Sequence, residues 1–184
     1  MSSIYLETER MRLRELEPGE ASILFDLDSD PEVMRFLRGG QATELDVCIQ
    51  IIHKIRGYYE KHDHRFGLWF AEEKISQKIM GWFFLRPDKG RPDDISNPEL
   101  GYRLKKEFWG KGFATEGSQA LIGKSFSELN CNSVFAVAMT GNLASQNVMK
   151  KIGMKFEGDY KQDECFAPGG DTSAVHYVLS LIHI

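Results

Sequence analysis

ELGYRLKKEFWGKGFATE, residues 99–116, is the stretch whose reading decides the fold. Leu100, Tyr102 and Leu104 alternate with Glu99, Gly101 and Arg103 at the period of a strand. From Ala114 the apolar residues Leu121, Ile122, Phe126 and Leu129 recur at helical spacing. Between the two lies Trp109-Gly110-Lys111-Gly112-Phe113. Two glycines two apart admit positive φ and let a ligand approach the backbone without a Cβ in the way. The first N–H groups of the following helix have no internal partner and carry partial positive charge. A strand, such a turn and a helix start in succession therefore suit a phosphate. The same spacing also serves a tight turn that binds nothing. It is not a Rossmann fingerprint, because Thr115 stands where the third glycine belongs, and the chain contains no Walker A sequence.

A chain of 184 residues fits one domain spanning 1–184, long enough to bury roughly 70% of its unfolded surface. Its formal charge of −4 argues against a nucleic-acid binder and is compatible with a basic or amine substrate. Cys48, Cys131 and Cys165 cannot all pair with one another, and none stands in a C-x-x-C spacing, which suits a reducing cytoplasm. The start of the chain lacks a signal-peptide pattern, and no run approaches the ~18 apolar residues of a membrane span. The expectation is a cytoplasmic protein without a membrane partner.

The rest of the chain reads as mixed α and β. Arg12 to Glu15 is a strand, and Pro18-Gly19-Glu20 turns into a helix carrying Ile23, Leu24 and Leu27. Asp30 caps a short helix with Pro31 at its first position, which Gly39-Gly40 ends. Thr43 begins a longer helix through about Lys61, with Leu45, Cys48, Ile49, Ile52 and Ile55 as its stripe. Phe66 to Ala71 and Lys78 to Leu85 form a hairpin, and Asp88 to Pro98 is a loop. Ser133 to Met139 is a strand, Leu143 to Lys151 a helix stopped by Gly153, and Phe156 and Val175 to Leu181 supply two more strands. Trp69, Trp82 and Phe83 belong to the core or its edges, His176 is packed in a strand, and His62-Asp63-His64 is a solvated turn rather than a metal site.

Trp109-Gly110-Lys111-Gly112-Phe113-Ala114-Thr115 resembles the acetyl-coenzyme A loop of the GNAT superfamily of N-acetyltransferases, with the pattern Gln/Arg-x-x-Gly-x-Gly/Ala. Gly112 and Ala114 fill its last two fixed places, and Trp109 departs from the leading Gln/Arg. Other segments are similar to the RimJ/RimL-like subgroup, which acetylates ribosomal-protein N-termini. These are Thr8-Glu9-Arg10, Leu13-Arg14, Asp30-Pro31-Glu32-Val33-Met34, and Asn142-x-x-Ser145 through Lys151-Ile152-Gly153-Met154. The resemblance spans nearly the whole chain. It implies an α+β fold, mixed α/β with a central, mostly antiparallel twisted sheet of about six to seven strands flanked by helices. It further implies acetyl-CoA (coenzyme A) as cofactor, an amine acceptor at a protein N-terminus, and a monomer or homodimer.

The same resemblance distributes the roles. The main chain at Arg103, Leu104 and Lys105 would pair with the pantetheine arm, as an added strand pairs with a sheet edge. Gly110, Lys111, Gly112, Phe113, Ala114 and Thr115 would hold the pyrophosphate, and Asn142 would cap its helix or contact pantetheine. Ser145 would protonate the departing thiolate, or serve as a first-turn hydroxyl; the tyrosine that many relatives carry four residues later is Met149 here. Glu99 would be the general base, or a surface carboxylate at a strand entrance. Met34 and Phe36 would line the acceptor groove or simply pack their helix. No metal is expected. A small amine such as a polyamine or an aminoglycoside-like compound is the alternative acceptor, and an acyl-CoA-binding module without turnover is the alternative class.

Overall fold

The computed structural model describes residues 3–37, 40–161 and 172–181; Gly39 and Cys165 lie outside them. Among the described residues eight strands form one sheet: β1 (Ile4–Glu7), β2 (Met11–Arg14), β3 (Gly67–Glu73), β4 (Ile79–Arg86), β5 (Glu99–Leu104), β6 (Ser133–Met139), β7 (Lys155–Lys161) and β8 (Ser173–Ser180). Their order is β1-β2-β3-β4-β5-β6-β8-β7. Every neighbouring pair is antiparallel except β5 and β6. This is the mixed, mostly antiparallel sheet that the resemblance implies, with one strand more than the upper end of the expected six to seven. The extra strand, β1, escapes the sequence pattern because Ile4-Tyr5-Leu6 is a short apolar run without alternation at the sheet edge. Tyr5 stacks on Trp69 at 3.8 Å between ring centroids and donates a hydrogen bond to the Arg65 carbonyl.

Among the described residues five α-helices cover the sheet: α1 (Ala21–Asp28), α2 (Pro31–Met34), α3 (Leu45–Lys61), α4 (Phe113–Ser127) and α5 (Leu143–Lys151). Asp30 caps α2 by accepting from the Glu32 N–H at 2.8 Å. Thr43 does not start α3. Its buried hydroxyl donates to Asp28 Oδ2 at 2.6 Å, so a tertiary partner takes the group that a helix cap would use. Cys48 and Ile52 are buried on α3, whereas Leu45 and Ile49 are 44% and 41% exposed, so only part of the sequence stripe faces the core.

Burying apolar surface on both faces of the sheet supplies the driving force for this arrangement. One core joins α4 and α5 to the face bearing Trp69, Phe83, Leu100, Val134 and Tyr177. The other joins α1 and α3 to the face bearing Leu68, Phe70 and Trp82. α4 is the crossover that the parallel β5–β6 pair requires. His62 is not solvated: at the end of α3 it is 8% exposed, tilted against Tyr58 and edge-on to Phe66, while His64 reaches outward to Glu15. Among the described residues no helix is long and apolar enough to cross a membrane.

Candidate active site

The two edges of β5 differ. Toward β4 it makes six successive register pairs, from Arg86↔Glu99 to Gly81↔Leu104. Toward β6 it makes one, Glu99↔Phe135. The Lys105 N–H donates to the Met80 carbonyl at 2.7 Å, its own carbonyl accepting the Phe108 N–H at 3.0 Å, and in the same register Arg103, Gly101 and Glu99 present their backbone groups to β4. Leu100, Tyr102 and Leu104 present theirs to the opposite side, where the strands part. Of the three residues expected along the pantetheine arm, the backbone of Leu104 faces this gap and those of Arg103 and Lys105 do not. The period of a strand permits only alternate residues to do so. The Leu104 carbonyl accepts the indole N–H of Trp109 at 2.7 Å. The side chain of Arg103 pairs with buried Asp28 and lies over the Trp82 ring, and Lys105 pairs with Asp26 on α1.

The gap leads to the glycine turn. Gly110 and Gly112 have φ of +72° and +85°, a conformation that favours glycine, and Gly112 is the N-cap of α4 with no side-chain cap. A Cβ at Gly110 would meet nothing within 4 Å, whereas one at Gly112 would lie 3.4 Å from Arg10 Nη2. Phe113 is buried against Phe108 and anchors the turn. Lys111 Nζ lies 5.7 Å from the Phe108 ring centroid. Ala114 and Thr115 follow in the first turn of α4, half-buried. Glu116 accepts from Thr8 Oγ1 at 2.6 Å and from the backbone and side chain of Arg10. Burial pushes the Glu116 carboxyl up, but these hydrogen bonds and the guanidinium outweigh it and hold it below the usual range.

Across the gap, Asn142 caps α5 by accepting the Ser145 N–H at 3.1 Å. The cap therefore uses the asparagine side chain and leaves the serine hydroxyl for another partner. That partner is Tyr102, whose hydroxyl lies 3.4 Å from Ser145 Oγ. Tyr102 is a residue the sequence reading saw only as part of a strand. Its contact with Ser145 joins positions 43 apart, and no local pattern announces it. Burial raises the Tyr102 pKa, with the Ser145 contact opposing that shift. Met149, in the position of the alternative tyrosine, is buried in the core.

Glu99 stands where the strands part. Both of its bonds from Arg86, at 3.1 and 2.8 Å, end on Oε2, so Oε1 is outside the pair. The Arg86 guanidinium lies over Phe84 at 4.2 Å. Phe135, in register with Glu99, packs edge-on to His176, whose pKa burial lowers. Met34 is a core residue at 1% exposure, whereas the half-buried Phe36 reaches the turn before α5, 3.4 Å from where a Gly141 Cβ would lie. Shallow grooves of about 420 and 510 Å³ share Asp26, Lys105 and Glu107, where α1 and α2 meet the end of β5.

The profile of the family described as acetyltransferase (GNAT) domain matches residues 10–155. The chain is 30% identical over 182 residues to the FsC-acetyl coenzyme A-N(2)-transacetylase of Aspergillus fumigatus, covering 95% of this chain and 75% of that protein. It is also 30% identical over 166 residues to a Bacillus licheniformis protein named uncharacterized N-acetyltransferase p20, covering 88% and 89%. A solved structure of RimL, ribosomal L7/L12 alpha-N-protein acetyltransferase, in complex with coenzyme A superposes with a TM-score of 0.80 over 99% of this chain and 100% of that one. At 16% identity that likeness concerns the fold.

Proposed function

The chain belongs to the GNAT family of N-acetyltransferases, and on that premise we propose that it transfers the acetyl group of acetyl-CoA to the N-terminal α-amine of a protein, as the RimJ/RimL-like subgroup does. One observation carries the coenzyme side of this reading: a strand edge, open for all but one register pair, leads through the short 3-10 turn Lys106–Phe108 to a positive-φ glycine turn at a helix N-terminus. Pantetheine amides would pair with Tyr102 and Leu104, and the pyrophosphate would meet the amides from Gly110 to Thr115. The whole of 1–184 is read as one acetyltransferase domain.

The reaction is direct attack in a ternary complex. Glu99 takes a proton from the amine, the amine adds to the thioester carbon, and the tetrahedral intermediate collapses with loss of the thiolate. Ser145 gives its hydroxyl proton to that thiolate and takes back the proton that the newly acylated nitrogen sheds, with Asn142 holding the first turn of α5 in place. An α-amine of pKa ~7.8 needs about 1 kcal/mol to be neutral at pH 7, against about 4.6 for a lysine at ~10.4. Glu99 is held by Arg86 through Oε2 and keeps Oε1 for the amine.

The relative from Aspergillus fumigatus, named for transfer at an N(2) position and matched over 95% of this chain, favours a second reading in which the acceptor is a small-molecule amine. A peptide with a free N-terminus is expected to be acetylated faster than the same peptide with that terminus blocked and a lysine available. Mass mapping of the product, run beside spermidine and free lysine, measures it. Preference for a side-chain or small amine would move the acceptor to the second reading, and absence of thiol release with every amine would leave only coenzyme binding.

A further inference from the structure

Thr8-Glu9-Arg10 forms the turn between β1 and β2, and the reaction above gives it no role. The structure bolts this turn onto α4. Arg10 Nε pairs with Glu116 Oε2 at 2.6 Å, and the Arg10 backbone N–H donates to Glu116 Oε1 at 3.0 Å. Arg10 Nη1 donates to the Lys111 carbonyl at 2.9 Å, inside the glycine turn. The guanidinium carbon stands 4.3 Å from the centroid of the Phe113 ring.

Two nitrogens and one face of the guanidinium are thus already committed. The third nitrogen, Nη2, has no hydrogen-bond partner among the described residues and stands 3.4 Å from where a Gly112 Cβ would lie. A donor held this way loses little further freedom when it meets an anion, and arginine's planar fork suits phosphate oxygens. The charges agree. Arg10 and Lys111 bring two cations to the turn, Glu116 offsets one, and the N-terminus of α4 adds its partial positive charge.

We propose that Arg10 is a ligand of the coenzyme's pyrophosphate, donating from Nη2 to a phosphate oxygen lying on the Gly110–Gly112 turn. This rests on the reading that the turn holds the pyrophosphate. Glu116 and Thr8 are then positioning residues that aim the guanidinium, and the missing Cβ of Gly112 gives the guanidinium room beside the turn. The N-terminal hairpin, more than 100 residues upstream, completes the coenzyme site.

The test compares two acetyl donors: acetyl-CoA, and S-acetyl-N-acetylcysteamine, which keeps the thioester but carries no phosphate. In Arg10→Met the acetyl-CoA dissociation constant, by calorimetry, is expected to rise about 10- to 100-fold, the worth of one charge-assisted hydrogen bond. The ratio of kcat/KM for acetyl-CoA to that for the truncated donor should fall by the same factor. The double variant Arg10→Met with Glu116→Gln should remain weak. Equal losses with both donors, unchanged coenzyme affinity, or recovery in the double variant would each overturn the proposal, the last by showing that Arg10 merely cancels Glu116. If Arg10→Met does not fold, Arg10→Lys, which keeps the charge but not the three-way geometry, should bind acetyl-CoA about tenfold more weakly and is judged by the same donor ratio. Failure of the unsubstituted protein to bind coenzyme would instead remove the pyrophosphate reading beneath the proposal.

Discussion

The two edges of β5 are built from the same six residues and obey different rules. Against β4 the strand is paired along its whole length, and the fit is close enough that a Cβ on Gly81 would fall 2.1 Å from the Arg103 carbonyl oxygen. Against β6 it is paired once, and the groups beyond Glu99 meet a tyrosine–serine contact and an indole rather than a neighbouring strand. The difference teaches where a fold spends its hydrogen bonds on itself and where, on the function proposed above, it keeps them for a ligand. Closed edges tolerate no change of backbone, while open edges carry their information in a few side chains.

The largest effect should come from the closed edge. Gly81→Ala puts a methyl group into backbone atoms at a φ of +143°, beside a bulge in β4. The expected loss is on the order of 3 kcal/mol of stability, read as the midpoint and slope of denaturant unfolding. A shift below about 1 kcal/mol would show that this edge is as forgiving as the other. On the open edge the cost should fall on the reaction. Ser145→Ala leaves the Asn142 cap in place and is expected to lower kcat about 100-fold, with coenzyme affinity nearly unchanged. A wild-type rate in steady-state kinetics would make the Tyr102–Ser145 contact a matter of packing alone. The smallest effect belongs to Trp109→Phe, which removes the indole donor from the Leu104 carbonyl at a half-exposed position. About 1 kcal/mol or less of stability should be lost, and a larger drop in thermal unfolding would mean that the open edge depends on its indole as the closed edge depends on its strand.

What was legible in the sequence was local. Asp30 and Asn142 cap the helices they precede, Ser133–Met139 and Leu143–Lys151 have the bounds their patterns suggest, and the glycine turn sits between strand and helix as read. What was not legible depends on partners far apart in the chain. Thr43 looked like a helix start because nothing nearby betrays Asp28 as its partner. The alternation of β5 was visible, but which of its two sets of backbone groups faces a gap depends on β4, and that the gap exists depends on where β6 leaves. Thr8 and Arg10 marked a resemblance without a mechanism until Glu116 was seen beside them.

That last contact also joins two widely separated stretches of the chain. The strands on either side of the gap come from separate stretches of chain, β1 to β5 before α4 and β6 to β8 after it, and hairpins such as β3–β4 and β7–β8 close over short or moderate loops. The clamp on the glycine turn ties together residues 106 apart. By loop-closure entropy, bringing those ends together costs about 2.7 kcal/mol more than closing a loop of five residues, before any contact rewards it. A local hairpin alone cannot supply both halves of this clamp; it exists only where the first strands meet the crossover helix. On the proposal that the turn holds the pyrophosphate, a coenzyme that binds only where this clamp is complete stabilises the whole topology by mass action.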